Sequence, residues 1–273
     1  MPELPEVETV ANALRRVLPG RRIAAVEVRA PKLRTSLEPL RSAHLEGHAF
    51  TAVRRRGRYI VLALDDRRGL LLHLGMTGAV SVVDAAEPPR RHEHVLLALS
   101  DGSSFRFEDP RRFGVLEVHE LKSDGLPAAL DFLGPEPLTG DFSAEGFYQS
   151  AHHRHVAIKE VLMDNTVVTG VGNIYATESL FAAGIRPAHR SDRLGRAACE
   201  RLVAAVKAIL ARAIAAGGTT ISDFRGVDGS EGRFNRELLI YGKAGEPCPK
   251  CGAALQTVKL GGRSSCYCPK CQK

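Results

Sequence analysis

No stretch of the chain approaches the roughly 20 uninterrupted apolar residues that a membrane-spanning helix needs, although hydrophobic residues make up 44% of it. A membrane protein of the helical type is therefore not expected, while the apolar content suffices for real cores. The opening MPELPEVETV carries acids and lacks the basic segment followed by an apolar run that marks a secretory or transit peptide, so a cytoplasmic location is expected. Before residue 248 the only cysteine is Cys199, whereas Cys248, Cys251, Cys266, Cys268 and Cys271 crowd into the last 26 residues. A secreted disulfide framework would spread its cysteines, so this clustering points to a metal instead. Internal repeats and low-complexity tracts are also missing. The 38 Lys and Arg against 31 Asp and Glu leave a net charge of +7. Such an excess suits a polyanionic partner, and it equally suits a solvated basic surface.

A length of 273 residues fits one large or two modest domains, and two are expected. From Pro5 to Leu18, Val7, Val10, Leu14 and Leu18 recur at helical spacing until Pro19-Gly20 stops the run. Short β-branched and aliphatic runs follow at 23–28, 59–64, 70–74, 80–83, 95–99, 104–107 and 115–118, with Arg68-Gly69 and Asp101-Gly102 as hairpin signals. The first half therefore reads as an antiparallel sandwich or barrel behind a helix. Pro135 and Pro137 disfavour both helix and central strand, which places a linker in Leu133–Leu138. Beyond it, 142–151, 155–163, 174–183 and 192–216 have helical periodicity. In the last of these Leu202, Val206, Ile209, Leu210 and Ile214 form one stripe, with Asp192 as the expected N-cap and Gly217-Gly218 as the stop.

The strongest local signal is Cys248-Pro-Lys-Cys251 followed by Cys268-Pro-Lys-Cys271. Each CxxC makes a knuckle that brings two thiolates to one ion, and two knuckles complete the tetrahedron of a closed, structural zinc site. Iron with the same ligands is the alternative that spacing leaves open. Cys266 breaks the register and reads as a packed or surface thiol. Lys259 and Arg263 lie between the knuckles, where cations either grip phosphate or stay in solvent. Gly170-Val-Gly172-Asn173-Ile-Tyr175 opens a helical run. Its glycines and amides suit a phosphate, and it lacks the Lys-Ser/Thr of a nucleotide-binding loop; a plain helix connection fits it as well.

Proline at position 2 invites removal of Met1, which would expose a secondary amine beside Glu3. An α-amino group titrates near 8, so roughly a tenth of it is free base at pH 7, against well under a thousandth of a lysine. Attack of such an amine on a sugar C1′ gives an iminium electron sink, with Glu3 placed to move protons. Taken alone, Pro2-Glu3 is also an ordinary helix start.

Read together, MPELPEVET, His73-Leu-Gly-Met76-Thr-Gly78, Asp109-Pro-Arg-Arg-Phe-Gly114, Leu133-Gly-Pro-Glu-Pro-Leu138, Asp164-Asn165, Gly172-Asn-Ile-Tyr175 and the terminal CxxC pair resemble the formamidopyrimidine-DNA glycosylases, bacterial repair enzymes for oxidised purines. The motifs run in the family's order from end to end. The resemblance implies an α+β fold: a catalytic antiparallel β-sandwich with flanking helices over residues 1–133, a helix-two-turns-helix DNA-binding domain over 134–236, and a four-cysteine zinc finger over 237–273, with DNA in the cleft between domains. It implies Pro2 as Schiff-base nucleophile, Glu3 as proton donor to the deoxyribose, Glu6 as helper, and strand nicking by β,δ-elimination. The substrate would be damaged double-stranded DNA, met by a monomer on the bacterial nucleoid.

A base inside a duplex must be extruded before its C1′ can be attacked. The resemblance gives Met76, Arg111 and Phe113 the task of filling the hole. It also matches His92, Asn173, Tyr241 and Arg263 to phosphate-clamping positions, and Gly226–Gly232 to a segment that closes over the extruded base. One departure stands out: Arg58 occupies a place where the family carries Lys, on the hairpin facing the lesion. A wide planar fork there replaces a compact ammonium, which bears on the choice among oxidised purines and on the lyase step. Two rivals remain, a sister glycosylase preferring oxidised pyrimidines and a zinc DNA-binding protein without catalysis.

Overall fold

The computed structural model describes residues 1–219 and 233–273; the Gly226–Gly232 segment lies outside them. By internal contacts the chain divides into two units. One is Met1–Asp131 with the described part of Ala216–Arg233, and the other is Phe132–Ala215 with Phe234–Lys273. Among the described residues no helix is long and apolar enough to cross a membrane.

The first unit opens with helix α1 (Leu4–Val17), preceded by Glu3 in an extended conformation and carrying proline in its first turn. Proline fits there because its missing N–H belongs to a turn whose donors have no helical partner. The Glu6 carboxylate reaches back to accept from the Glu3 backbone N–H at 2.9 Å, and Arg15 and Arg16 in the last turn oppose the negative end of the helix dipole. Strands β1 (Ile23–Val28), β2 (Phe50–Arg56), β3 (Tyr59–Leu64), β4 (Arg68–His73), β5 (Ala79–Asp84), β6 (Glu93–Leu99), β7 (Ser103–Glu108) and β8 (Val115–Glu120) follow, with the short helix α2 (Glu38–Arg41) between the first two. They form two four-stranded sheets, ordered β1-β6-β7-β5 and β2-β3-β4-β8, and every strand pairing is antiparallel. Side chains two apart on a strand share a face. Ile60, Leu62, Leu70 and Leu72 of one sheet therefore meet Val95, Leu97, Phe105 and Phe107 of the other, with Val7, Val10 and Leu14 of α1, in one buried cluster. Each such side chain contributes about 1.5–3 kcal/mol by leaving water. The expected sandwich with a leading helix is what the chain adopts.

Several details differ from the sequence reading. Strand β2 is not among the expected runs, because a register shift between Phe50 and Ala52 breaks the alternation of Phe50 with Val53, and three arginines, Arg54, Arg55 and Arg56, end the strand. The β3–β4 turn falls at Asp65–Arg67 rather than at Arg68-Gly69: Arg67 takes the left-handed conformation at φ 69°, and the Asp66 carboxylate holds the Arg68 N–H at 3.1 Å. Both Arg68 and Gly69 lie inside β4.

Beneath the β5–β6 connection lies a buried ion pair. Arg106, 1% exposed, donates to Glu93 Oε2 at 3.3 Å and to the carbonyls of Asp84 and Glu87 at 3.2 and 2.5 Å. Removing one partner leaves an uncompensated buried charge. Urea unfolding of Glu93→Leu should therefore show a loss of about 3–5 kcal/mol; a loss below about 1 kcal/mol, the worth of a surface pair, would contradict this assignment.

The second unit holds α3 (Ala144–His152), α4 (Ile158–Leu162), α5 (Asn173–Ala183), α6 (Arg196–Ala215) and the hairpin β9 (Gln256–Leu260) and β10 (Arg263–Tyr267). Ser143 caps α3 by accepting from the Gly146 N–H at 3.1 Å. Helix α6 buries Leu202, Val206 and Leu210 and stops before Gly217 and Gly218, whose φ angles are 77° and 79°. Asp192 does not cap it. A 3-10 turn spans Ser191–Arg193, where the Asp192 carboxylate is bound by Arg190 and His155 at 2.6 and 3.0 Å. Residues 155–157 likewise stay outside α4, which begins at Ile158.

Candidate functional site

In the first unit the expected catalytic residues gather at the start of α1. Glu3 and Glu6 are 4% and 2% exposed, unusual for carboxylates, which require partners when buried. Beyond its bond from Glu3, Glu6 accepts through Oε1 from the Thr219 N–H at 2.8 Å and the Thr219 hydroxyl at 2.9 Å. Gly218 packs so tightly on it that an added Cβ would come within 3.0 Å of Glu6 Oε1. Glu6 thus ties the first turn of α1 to the segment that follows α6. The Met1 α-amino group is held below its usual value near 8, chiefly by burial; Glu3 and Glu6 oppose the shift, while Arg58 and Arg111 reinforce it. Four of the expected site residues therefore lie close enough to the N-terminus to be felt by its charge.

Arg58 follows Gly57 at the tip of the β2–β3 hairpin and is 9% exposed. Its guanidinium lies 3.9 Å from the Met1 sulfur. Next to it stands His73, part of the HLGMTG motif but given no role by the sequence. Burial, with Arg58 and Arg34 adding to it, lowers the His73 pKa to about 4. The ring is therefore neutral near pH 7, and its Nδ1 accepts from the Gly75 N–H at 3.0 Å, which leaves the other nitrogen as the donor. Its ring centroid lies 4.9 Å from that of Tyr59, its cross-strand partner. His73 in this way fixes the turn that presents Met76.

Met76 and Phe113 are 42% and 46% exposed, a state that large apolar side chains adopt at a contact surface more readily than in a core. The Arg111 guanidinium sits 4.7 Å from the centre of the Phe113 ring. His92 is half-buried, and its carbonyl accepts from the Asp109 N–H at 3.0 Å.

Asn173, Tyr241 and Arg263 belong to the second unit. Asn173 opens α5 and receives a bond from Lys159. The Lys159 ammonium, 1% exposed, donates to Asn173 Oδ1 at 2.7 Å, Thr177 Oγ1 at 2.8 Å and Ser265 Oγ at 2.8 Å, so it links α4, α5 and β10. Glu178, 4% exposed, accepts from the backbone N–H groups of Leu239, Ile240 and Tyr241 at 3.0, 2.9 and 2.8 Å. It thereby sets the direction of Tyr241. Sequence reasoning points to neither Lys159 nor Glu178. The available signal is an ionisable residue inside an otherwise apolar helical run, which has to find compensation when it is buried. Arg263 is exposed beside the Gly261-Gly262 turn.

The sulfurs of Cys248, Cys251, Cys268 and Cys271 lie within 4.8 Å of one another, with Cys248–Cys271 at 3.9 Å and Cys251–Cys268 at 3.5 Å. A zinc tetrahedron with bonds of about 2.3 Å has edges of about 3.8 Å, so the four sulfurs fit the ion. Contact with the other cysteines, that of Cys251 foremost, pushes the Cys271 thiol up to about 12. Four crowded sulfurs resist ionising together unless a cation compensates them. Backbone N–H groups of Lys250 and Cys271 face Cys248 and Cys268 at 3.4 Å each, a pattern that supports thiolate ligands. One structural zinc occupies this position in the working protein. Cys266 stays outside the four-sulfur group and packs with Phe181, Ile240 and Leu255.

Comparison with known proteins matches residues 1–116 to the formamidopyrimidine-DNA glycosylase N-terminal domain, 133–225 to the H2TH domain of the same enzymes, and 245–273 to the zinc finger found in FPG and IleRS. The chain is 44% identical over 272 residues to the formamidopyrimidine-DNA glycosylase of Teredinibacter turnerae and 45% identical over 273 residues to that of Laribacter hongkongensis. Both comparisons cover 100% of each chain. Among solved structures, a Lactococcus lactis FPG mutant in complex with a Fapy-dG containing DNA superposes with a TM-score of 0.92 at 34% identity over 100% of both chains. The MutM (FPG) protein of Thermus thermophilus does so with 0.87 at 36% identity over 99% of this chain and 98% of that one. With three successive domain models and full-length relatives in agreement, the chain belongs to the formamidopyrimidine-DNA glycosylase family.

Proposed function

We propose that the chain is a bifunctional DNA glycosylase and AP lyase of base excision repair, excising 8-oxoguanine and formamidopyrimidines from duplex DNA through Pro2 once Met1 has been removed. The observation that carries this reading is the depressed basicity of the amino group beside two buried carboxylates. An environment that disfavours the ammonium there favours the free base of an imino nitrogen one residue further on. Pro2 and Glu3 are the reacting groups, Glu6 fixes their backbone, and Arg58 supplies positive charge on the adjacent hairpin. Met76, Arg111 and Phe113 fill the gap left by the extruded nucleotide. His92, Asn173, Tyr241 and Arg263 hold phosphates. The functional parts are 1–133, 134–236 and 237–273, acting as a monomer in the cytoplasm, on the bacterial nucleoid.

The Pro2 lone pair attacks C1′, and the bond from C1′ to the damaged base breaks as that base takes up a proton. Glu3 delivers a proton to O4′ as the sugar ring opens, which leaves an iminium between Pro2 and C1′. The iminium draws electrons from C2′, whose proton departs as the 3′-phosphate is expelled. A second elimination expels the 5′-phosphate, and water releases the sugar fragment and restores the amine. Duplexes bearing 8-oxoguanine and thymine glycol test the assignment. Faster release of 8-oxoguanine, with phosphates at both ends of the gap, is expected; faster release of thymine glycol would instead support the oxidised-pyrimidine reading, and release of neither would contradict an enzyme.

Only the neutral amine attacks, so the rate rises with pH through the amine's pKa. The surroundings that lower the Met1 amino group, burial foremost and Arg58 with it, act on the Pro2 nitrogen as well, so borohydride trapping on abasic duplex should climb from acid pH to a plateau with its midpoint below that of a free N-terminal proline. In Arg58→Gln one charge that depresses the amine is gone, so the midpoint should move to higher pH. A midpoint in the unaltered chain no lower than that of a free N-terminal proline, or one indifferent to Arg58, would contradict the role given to this environment.

A further inference from the structure

We infer that Asp109 is a positioning residue that locks the two loops of the base-replacing wedge into one rigid body, an inference that rests on the reading of Met76, Arg111 and Phe113 given above. Asp109 is 0% exposed, and each of its polar atoms is bonded within or beside a loop that carries a proposed DNA contact. Its Oδ1 accepts from the Thr77 hydroxyl at 2.7 Å, and that hydroxyl oxygen accepts in turn from the Arg111 N–H at 3.2 Å. Its Oδ2 accepts from the Gly114 N–H at 2.7 Å. Its backbone N–H donates to the carbonyl of His92 at 3.0 Å, and its own carbonyl accepts from the Arg112 N–H at 3.2 Å and from His94 Nε2 at 3.0 Å.

Thr77 is the neighbour of Met76, and Gly114 the neighbour of Phe113, so a single carboxylate fixes the separation of the two apolar tips. The backbones of the loops touch where it does so. A Cβ on Gly75 would lie 2.5 Å from the Phe113 carbonyl carbon, and Gly75 holds φ at 63°; a Cβ on Gly114 would lie 2.6 Å from the Phe107 ring and 3.0 Å from Asp109 Oδ2. Arg112 itself sits at φ 56°, a conformation costly for a side chain with a Cβ. Such a turn persists only where its surroundings impose it, and the Asp109 bonds do so. A wedge held in advance loses little freedom when it enters the duplex, whereas loosened loops would have to be ordered at that moment.

The test separates extrusion from chemistry by comparing two substrates. An 8-oxoguanine duplex needs the wedge, and a single-stranded abasic oligonucleotide needs only the amine. Asp109→Asn leaves one donor facing an amide NH2, and Thr77→Val removes the hydroxyl at constant shape. Both should slow release of 8-oxoguanine about ten- to a hundred-fold, as expected for losing hydrogen bonds to a buried charge, while borohydride trapping on the single strand stays within about threefold. Thr77→Ser should restore release. Should Asp109→Asn fail to fold, the Thr77 pair still decides. Release at the unaltered rate by Thr77→Val, failure of Thr77→Ser to restore it, or equal slowing on both substrates would overturn the inference. An unaltered chain that releases no base overturns the functional reading itself. Wild-type release by Met76→Ala and by Phe113→Ala overturns the wedge on which Asp109 acts.

Discussion

Release of 8-oxoguanine from duplex DNA is expected to fall about a hundred- to ten-thousand-fold in Glu3→Gln, the range for removal of a positioned general acid. Glutamine keeps the size and hydrogen-bonding reach of Glu3, so the N-cap of α1 survives and the loss lies in proton transfer. Binding of an abasic duplex should be little changed, because no contact of the second unit is touched. Trapping on a preformed abasic site should also persist, since the open-chain aldehyde needs no proton at O4′. Single-turnover release and trapping, measured side by side on the same preparation, check this split. Parallel loss of both would place Glu3 in amine activation instead.

The second large effect concerns the zinc. Structural zinc sites contribute about 10–16 kcal/mol of apparent folding free energy near neutral pH, as much as or more than a typical domain's whole stability. The apolar cluster beneath the hairpin β9–β10 is small, made of Phe181, Ile240, Leu255, Cys248, Cys266 and Cys268 with Ala253 and Cys271 against them. Cys268→Ala, or a strong chelator, should therefore unfold the hairpin and remove Arg263 from its place. Through Ser265, which also holds Lys159, the support of Asn173 weakens as well. Affinity for damaged duplex should drop at least a hundred-fold, about 2.7 kcal/mol, with its salt dependence made shallower as phosphate contacts disappear. Trapping on a single-stranded abasic oligonucleotide at saturating concentration should survive. Full duplex affinity in a zinc-free chain would contradict the role of the metal.

Much of this architecture is legible in the sequence. Strands at 23–28, 59–64, 95–99 and 104–107 are visible because short β-branched and aliphatic runs bounded by turn residues report on a buried sheet. The zinc ligands are visible because two CxxC knuckles encode their own geometry within a few residues. The proposed catalytic role of the chain's start is not legible from Pro2-Glu3 alone, a pair that also begins ordinary helices; the resemblance over the whole motif set brings it forward. What stays hidden depends on contacts between distant segments. Lys159 and Ser265 are 106 residues apart, Glu178 and Tyr241 63, Glu6 and Thr219 213. No local pattern encodes such pairings, and a buried ionisable side chain declares only that some partner must exist. The β3–β4 turn escapes a sequence reading for a related reason. Glycine marks turns because it tolerates positive φ, but Arg67 accepts that conformation where Asp66 secures the next N–H, and Gly69 is left to serve inside the strand.

The attacking nitrogen can be identified by reductive trapping followed by peptide mass analysis. The mature chain, its mass confirming that Met1 is gone, is incubated with an abasic duplex and borohydride, digested, and searched for the modified peptide. A single adduct is expected on the N-terminal peptide, attached at the Pro2 nitrogen and sharply reduced in Pro2→Gly. An adduct on a lysine, or none at all from a chain beginning at Pro2, would contradict the imino nucleophile on which the proposed chemistry depends.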